Sequence, residues 1–361
     1  MSLKTIVLSG INLVDGGALS VYIDCINEIL QNNYADNYKI IALVGNKELF
    51  PNDDRITYME FPKSKRNWLY RIYYEYVYFY LLSKKIKPYI WLSLHDVTPN
   101  VVAQKRYVYC HNPSPFNKMS IKEARYGWKY YAFSKFYKYL YRINIHKNTG
   151  VIVQQEWMRE EFKKMFKLNN VIVARPSIPV FKRIKSLTQS RIVFIYPSFP
   201  RYYKNFEVVC KAVKELNREK IGNYEVYITV DGNENRYAEE LVGKYNNVDN
   251  ITFCGLLSRQ KLFDLYQKSS CLLFMSKLET WGMPIIEFRS TNQAMILADL
   301  PYSHDTIGDY NNVSFVEPND YKGLAKEMKR VINGKKLGKS EALTPECPFA
   351  KNWKELFELI I

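Results

Sequence analysis

The chain alternates short apolar runs with longer stretches in which apolar residues recur every three to four positions. Short apolar runs bounded by turn residues are typical of buried strands, and the longer spacing is typical of helices. In the first half, this pattern predicts strands at Thr5–Ser9, Lys39–Val44, Tyr89–Leu94, Arg106–His111, Gly150–Gln154 and Asn170–Arg175. It predicts helices at Ala18–Gln31, Asn67–Leu82, Lys122–Tyr141 and Trp157–Phe166.

A second alternating set follows Pro176, Pro179 and the polar stretch Lys182–Gln189, which we interpret as a linker. Its strands are predicted at Arg191–Tyr196, Tyr224–Val230, Asn250–Phe253, Cys271–Met275 and Ala294–Ala298. Its helices are predicted at Asn205–Asn217, Arg236–Tyr245, Arg259–Lys268, from Pro284 onwards and at Tyr321–Asn333. Two such sets predict an α/β chain with two doubly wound, Rossmann-like domains facing each other across a cleft. We place the domains at residues 1–180 and 190–345.

The most informative segment for function follows the apolar run Cys271–Ser276. Gly282 breaks the run, and Pro284 suits the first turn of a helix. Glu279 is therefore predicted on the loop at the carboxyl end of a strand. Glu287 is predicted about one turn inside the helix, on a side that can face the same crevice.

The groups in this segment suit a ligand that contains a sugar and a diphosphate. One carboxylate, Glu279 or Glu287, can bind sugar hydroxyls and the other can bind a ribose. The backbone N–H groups near Gly282 and Met283 form the positive end of a helix, which favours a phosphate. The segment predicts a nucleotide-sugar site. Any exposed strand–turn–helix segment can carry two acidic residues, so the spacing alone is a weak signal.

Two cations, Arg201 and Lys204, lie in the loop Ser198–Asn205, which follows the first strand of the second set. A departing nucleoside diphosphate gains negative charge, and fixed cations stabilise that charge without a metal. The alternative interpretation is a solvated basic loop.

Strand ends of the first set carry further candidates. Gly16 and Gly17 precede a helix, where backbone amides can approach a ligand closely; they can equally be turn residues. His111 ends a strand and is expected to project into the cleft, unless its own loop satisfies it. Asp96 ends the preceding strand, where it can orient an acceptor hydroxyl, pair with His111 or cap its loop.

The segment from Glu279 to Glu287, with Gly-Met-Pro inside it, resembles the donor-binding signature of retaining GT-B glycosyltransferases, especially those of family 4. The resemblance implies that Glu279 contacts hydroxyls of the donor sugar and that Glu287 contacts the ribose. Lys204 resembles the lysine of the family's diphosphate clamp. Arg201 stands closer to that lysine than is usual in the family.

Further roles follow from the same resemblance. Gly16 and Gly17 are similar to the family's Gly-Gly loop facing the donor phosphate, and His111 to the histidine that hydrogen-bonds the donor sugar. The first domain would serve the acceptor and the second the nucleotide sugar. The final helix, within 346–361 and containing Trp353, would cross back to the first domain.

The resemblance also implies a hexosyltransferase that retains anomeric configuration and needs no obligatory metal or other cofactor. The leaving diphosphate would itself take the acceptor's proton. The expected partners are a nucleotide sugar and a glycan acceptor, which is lipid-linked if the chain acts in surface polysaccharide biosynthesis. Alternatives are a sugar-nucleotide epimerase or a phosphorylase of the same architecture.

Charge is distributed unevenly along the chain. Residues 1–190 hold 29 Lys and Arg against 14 Asp and Glu, a net charge of +15, whereas residues 191–361 hold 23 and 22. The first half is therefore expected to meet an anionic partner. Charge alone suggests nucleic acid as a remote alternative, but no binding module is recognisable and the two glutamates would repel a duplex.

Two predicted helices of the first domain combine bases with aromatic residues, which suits an anionic membrane surface. The first follows Lys63-Ser-Lys-Arg66 and carries Trp68, Leu69, Tyr73, Tyr76 and Tyr80; the second carries Phe133, Phe136, Tyr137, Leu140 and Tyr141. The alternative is that both aromatic stripes are core. Charges interrupt Trp68–Leu94, which therefore cannot span a bilayer. Scattered cysteines without a C-x-x-C pair predict reduced thiols and a cytoplasmic location. The basic first domain adds the hypothesis of a peripheral position on the inner face of the cell membrane.

Overall fold

The structure is a computed structural model that describes residues 3–116, 119, 121, 123–176 and 190–361. It divides into two compact units. The first contains the described residues within Met1–Lys118, Ala132–Ser177 and Pro345–Ile361, and the second those within Met119–Tyr131 and Ile178–Thr344. Residues 119–131 thus cluster with the second unit, although they lie inside the predicted N-terminal domain. The predicted linker Lys182–Gln189 lies outside the described residues.

The strands and helices carry labels in chain order. The strands are β1 (Lys4–Gly10), β2 (Tyr38–Val44), β3 (Ile56–Glu60), β4 (Ile90–Ser93), β5 (Lys105–Cys110), β6 (Gly150–Val153), β7 (Val171–Ala174), β8 (Ile192–Tyr196), β9 (Tyr224–Ile228), β10 (Ile251–Phe253), β11 (Cys271–Phe274), β12 (Ala294–Ala298), β13 (Tyr310–Val316), β14 (Gly338–Ser340) and β15 (Phe349–Ala350). The α-helices are α1 (Gly16–Gln31), α2 (Tyr34–Asn37), α3 (Lys63–Arg66), α4 (Trp68–Tyr73), α5 (Phe79–Ile86), α6 (Trp128–Arg142), α7 (Glu156–Phe166), α8 (Phe206–Arg218), α9 (Arg236–Tyr245), α10 (Arg259–Lys268), α11 (Met283–Arg289), α12 (Pro301–Ile307), α13 (Tyr321–Ile332) and α14 (Trp353–Ile360).

The sheet of the first unit has the strand order β15-β7-β6-β5-β4-β1-β2-β3, and its described strand pairs are parallel. Successive residues of a strand point to opposite faces. Ile6 and Leu8 of β1 accordingly pack in the cluster that includes residues of α1 and α14. Val7 packs on the opposite face with Phe79 of α5 and Trp91. Helices on both faces make this a doubly wound unit.

The end of the described chain belongs to the first unit. Phe349 and Ala350 form β15, which pairs with β7, and Trp353 of α14 is buried in the core that α1 also contributes to. The Tyr89 hydroxyl donates to the Ile361 carbonyl at 2.7 Å. The guanidinium of Arg159, a residue with 1% of its surface exposed, donates to the carbonyls of residues 346 and 348 at 2.7 and 2.6 Å.

The sheet of the second unit has the order β10-β9-β8-β11-β12-β13-β14, with antiparallel pairing of β14 to β13 and parallel pairing elsewhere. The buried residues of α8 include Phe206, Val209, Val213 and Leu216, which follow helical spacing. Two doubly wound, Rossmann-like sheets confirm the predicted α/β fold class.

Several predicted elements were wrong in detail. The helix predicted at Asn67–Leu82 consists of α4, a π-helical turn at Tyr74–Tyr78 and the first part of α5. The helix predicted at Lys122–Tyr141 begins at Trp128, because a 3₁₀ turn and Gly127 precede it. The sequence pattern also missed β3, β13 and α12. In the described part of the chain, no helix is both long enough and apolar enough to cross a membrane.

Candidate functional site

The strand order of the second unit creates one topological switch point. From β8 the chain proceeds to β9 and β10 on one side, whereas β11, β12 and β13 lie on the other side. Ligands of doubly wound sheets bind at the carboxyl ends of the strands where the order reverses. The loops after β8 and β11 lie at this point, and they carry Lys204 and Glu279.

Lys204 and Glu279 form a direct ion pair between Nζ and Oε1. Each side chain has 14% of its surface exposed, so both are largely shielded from water. The Tyr196 hydroxyl at the end of β8 donates to the Lys204 carbonyl. The ammonium also lies 5.6 Å from the ring centre of Phe274, the last residue of β11. The loops after β8 and β11 therefore bring Lys204 and Glu279 into contact within one unit.

The two loops are fixed to each other by hydrogen bonds. Asn205 has a left-handed backbone conformation with φ of 58°, and its buried amide donates to the carbonyls of Met275 and Pro318 at 3.2 and 2.6 Å. The backbone N–H of Lys277 donates to the Tyr203 carbonyl at 2.8 Å. Buried hydrogen bonds of this kind hold a site in one geometry. They preset the position from which Lys204 reaches Glu279.

Glu287 lies on α11, behind the turn at Gly282. Gly282 has φ of +71°, which favours glycine, and Pro284 occupies the first turn of the helix. The Tyr266 hydroxyl donates to the Glu287 carboxylate at 3.2 Å. Burial raises the pKa of the Glu287 carboxyl above its ordinary value, while the Tyr266 hydrogen bond and the charge of Arg259 oppose that shift.

The start of α11 presents backbone donors at Gly282 and Met283. Gly282 precedes the helix and has no side chain that could cap its first N–H groups. Met283 has 38% of its surface exposed. The first N–H groups of a helix have no partner within the helix itself. Both predicted phosphate-binding positions thus lie on the turn that separates Glu279 from Glu287.

Arg201 makes a different contact. Its guanidinium donates to the Tyr203 hydroxyl at 2.9 Å and lies 5.8 Å from the ring centre of Phe199. The arginine therefore packs along its own loop. Its predicted role at the diphosphate stays a prediction.

The remaining predicted site residues belong to the first unit. Gly16 and Gly17 begin α1, which follows β1 at the switch point between β1 and β4. Gly16 has φ of +71°. Apart from the adjacent residues and the backbone of the same helix, a Cβ atom added at Gly16 or Gly17 would meet no atom of the described residues within 4 Å, so the space beside both glycines is open.

His111 and Asp96 lie at the ends of neighbouring strands. Asp96 accepts the backbone N–H groups of His111 and Asn112 at 2.8 and 3.1 Å and the Tyr141 hydroxyl at 3.0 Å. Its other oxygen lies 3.8 Å from His111 Nε2. The carboxylate of Asp96 therefore fastens the loop that begins at His111, which agrees with the interpretation of Asp96 as a loop cap.

Two features were not predicted from the sequence. Tyr266, the partner of Glu287, is a core tyrosine at helical spacing. A fully buried pair, Glu75 and His95, has Oε1 and Nε2 2.6 Å apart in the first unit. The available signal in the sequence was Glu75 itself, a glutamate within a predicted aromatic helix. A charged side chain that faces inward from such a helix requires a partner.

Comparison with known families gives a partial match along the chain. Residues 178–343 match the model of the family described as Glycosyl transferases group 1. The O-antigen chain mannosyltransferase RfbU of Salmonella typhimurium is 31% identical over 83 residues. That stretch is 23% of this chain and 23% of the relative.

Solved structures resemble the chain over most of its length. TarM has a TM-score of 0.65 at 13% identity and covers 92% of each chain. WaaG, a glycosyltransferase involved in lipopolysaccharide biosynthesis, has a TM-score of 0.62 at 12% identity and covers 91% of this chain and 90% of its own. HepE of Anabaena, solved with UDP-glucose, has a TM-score of 0.58 at 12% identity, with 91% and 90% covered.

At such identities these structural likenesses concern the fold, which is that of GT-B glycosyltransferases. The match of residues 178–343 to the group 1 glycosyltransferase model agrees with the predicted enzyme class.

Proposed function

We propose that this chain, which contains a group 1 glycosyltransferase domain, transfers a sugar from a nucleotide-sugar donor to a glycan acceptor with retention of anomeric configuration. The observation that carries the proposal is the Lys204–Glu279 pair at the switch point of the second unit. A lysine beside a carboxylate can serve both halves of a sugar diphosphate. The cation attracts the diphosphate, and the carboxylate accepts hydrogen bonds from sugar hydroxyls.

The donor would lie along the turn between β11 and α11. Glu279 would bind the sugar and Glu287 the ribose, with the backbone N–H groups of Gly282 and Met283 donating to the diphosphate. Lys204, together with Arg201, would stabilise the charge that develops on the leaving diphosphate. We further propose that this charge stabilisation proceeds without a bound metal and that the family 4 assignment holds. We also propose that His111 contacts the donor sugar.

Surface polysaccharide biosynthesis is the proposed pathway class, since RfbU and WaaG are named for O-antigen and lipopolysaccharide synthesis. The acceptor would then be a glycan carried on a lipid. The charge of +15 within residues 1–190 supports a peripheral position on an anionic membrane surface, with the chain on its cytoplasmic side.

The test combines binding with turnover. A panel of nucleotides and nucleotide sugars should include at least one that raises the melting temperature, because a ligand of the native state stabilises it by mass action. That nucleotide sugar, labelled in its sugar, should release nucleotide faster when a glycan acceptor is added, with and without EDTA. Sugar conversion that needs no acceptor would support an epimerase instead. No thermal shift with any nucleotide would refute the proposal.

Replacement of Glu287 should weaken donor binding in a pH-dependent way. We expect Glu287→Ala to lower donor affinity by about 10- to 100-fold, because ribose hydroxyls lose a charged acceptor. Burial raises the pKa of this carboxyl. As the pH is lowered, the Glu287 carboxylate should therefore be protonated at a higher pH than an ordinary glutamate. The donor affinity of the wild type should begin to fall at that higher pH. Titration calorimetry across pH measures both effects.

Glu287→Gln should abolish the fall in donor affinity at low pH, because glutamine does not take up a proton. Glu239→Ala, an exposed glutamate on α9, is the matched control and should bind donor as the wild type does. Unchanged affinity in Glu287→Ala would contradict the ribose assignment.

Gly17→Ala separates ligand contact from folding. The new methyl group meets no protein atom within 4 Å, so the folded state should keep its stability or gain up to about 1 kcal/mol. If the donor phosphate approaches this helix start, the methyl group should instead lower the transfer rate by about tenfold. Unfolding curves and single-turnover rates on one preparation distinguish the two outcomes. A stable variant with wild-type rates would exclude the close approach.

A further inference from the structure

The segment 63–87 has two opposite faces. The inner face carries four buried residues at intervals of four positions, namely Arg71, Glu75, Phe79 and Ser83. Arg71 donates to the His95 carbonyl at 3.1 Å, and Ser83 Oγ accepts the backbone N–H of Val102 at 2.9 Å. The inner face is thereby fixed to the first unit.

The outer face is apolar and exposed. Leu69, Tyr73, Val77 and Leu81 also recur every four residues, and they expose 71%, 48%, 50% and 59% of their surface. In a regular α-helix, residues four apart drift around the axis, because one turn takes 3.6 residues. The π-helical turn at Tyr74–Tyr78 winds less per residue and brings the following residues back into line. We call this line, together with the exposed Trp68 and Ile72, the outer ridge.

Basic side chains lie at both ends of the outer ridge. Exposed lysines and an arginine precede it at Lys63, Lys65 and Arg66, and exposed lysines follow or end it at Lys84, Lys85 and Lys87. The one acidic residue within 63–87, Glu75, is 1% exposed and paired with His95. Lys65 pairs with Asp15 at 3.1 Å. The exposed charges that the segment itself contributes are all positive, and they lie beside a large apolar line.

The second predicted membrane helix differs. In α6, Tyr137 and Tyr141 are buried in the core of the first unit, and Phe133 and Leu140 pack against it. The alternative interpretation, an aromatic core stripe, thus holds in α6 for these four residues but not for Phe136. Phe136 and Tyr139 are exposed, at 64% and 55%, beside Lys135 and Lys138. They provide a matched pair of exposed aromatic residues outside the ridge.

We propose that the outer ridge is the element by which this protein lies on an anionic lipid bilayer. Apolar side chains enter the boundary between headgroups and acyl chains, aromatic residues such as Trp68 and Tyr73 suit that boundary, and lysines attract anionic lipid. The ridge lies flat on the surface, because basic clusters flank it at both ends. The proposal deepens the lipid-linked acceptor of the proposed function, but binding itself needs neither donor nor catalysis.

Vesicle flotation of the full chain tests the apolar part. Wild-type protein should float with vesicles of phosphatidylcholine containing phosphatidylglycerol, less so in high salt, and poorly with phosphatidylcholine alone. The variant Leu69→Ser/Val77→Ser/Leu81→Ser should partition at least about tenfold more weakly. The control Phe136→Ser/Tyr139→Ser should float as the wild type does. Equal binding of ridge and control variants would overturn the proposal, as would wild-type protein that does not float.

A charge-reversal pair tests the basic part. Lys84→Glu/Lys85→Glu should weaken binding to anionic vesicles about tenfold or more. Lys322→Glu/Lys326→Glu, two exposed lysines of α13 with the same change in net charge, should have little effect. If both pairs lose binding equally, net charge and not the ridge is responsible, and the proposal is wrong.

Two further measurements keep the outcomes distinct. Light scattering without lipid shows whether the outer ridge instead binds a second copy of the chain. A wild-type protein that is dimeric and does not bind vesicles, with a ridge variant that is monomeric, would overturn the bilayer proposal. The nucleotide-induced thermal shift of each variant should equal that of wild type, which also shows that it is folded. Vesicle binding without any nucleotide shift would refute the proposed function and leave the ridge proposal standing.

Discussion

Lys204→Ala should lower the rate of sugar transfer by about 10²–10³-fold, the usual cost of removing one fixed group that stabilises charge in a transition state. Lys204 is held by its own loop, its carbonyl is bound by Tyr196, and its ammonium meets Glu279. Negative charge on the diphosphate grows as the sugar departs, so the lysine acts more strongly on the transition state than on the bound donor. The loss should therefore appear mainly in kcat, measured at saturating donor.

Two companion variants make this prediction specific. Lys214→Ala removes an exposed lysine from α8, the helix that follows the same loop, and should retain full turnover. Lys204→Ala also leaves Glu279 without its cation, so the effect is measured again in a Glu279→Gln background. A large loss that persists there assigns the effect to the diphosphate. A loss that disappears would mean that Lys204 merely positions Glu279.

Arg159→Met should destabilise the first unit by about 2–4 kcal/mol, because two partly buried backbone carbonyls lose charge-assisted donors. Arg159 is 1% exposed, and its guanidinium holds residues 346 and 348 just before β15. Methionine keeps most of the apolar stem but supplies no N–H group. The change should loosen β15 and α14 before the rest of the unit.

Hydrogen exchange locates the effect. The N–H groups of Val173 and Arg175, which donate to the carbonyls of Pro348 and Ala350, should exchange faster in Arg159→Met. Lys163→Met, on the same helix and in contact with Glu160 at the surface, is the control and should change stability little. Protection of β15 equal to that of wild type would show that Arg159 does not anchor this segment.

The sequence predicted the strands of both sheets best where apolar runs are unbroken. β1, β2, β8 and β11 are such runs, and they are buried at most positions. β3 was missed because it is an edge strand with one fully buried residue, Ile56. β13 was missed because two asparagines, Asn311 and Asn312, interrupt its apolar pattern at a bulge. Both segments form strands because they pair with neighbouring strands in the folded sheet, and the local sequence pattern does not contain that information.

The candidate site was predictable where its chemistry is local. Glu279, Gly282 and Glu287 lie within one strand–turn–helix segment, so their shared location follows from spacing. The contact between Lys204 and Glu279 arises because β8 and β11 are neighbours in the sheet. The order of the strands in the sheet is a tertiary feature that the local sequence pattern does not contain. The assignment of residues 119–131 to the second unit also depends on contacts between distant parts of the chain, such as that of Arg125 with Glu240 at 2.9 Å.

The position of β15 and α14 has a consequence for biosynthesis. Their residues emerge from the ribosome after all of β8 to β14, yet they fill the core against α1 and extend the first sheet. A nascent chain that already contains the whole second unit still exposes the apolar surface that Trp353 and Phe357 will cover. Exposed surface of this kind recruits chaperones. Completion of the first unit therefore waits until β15 and α14 have been synthesised.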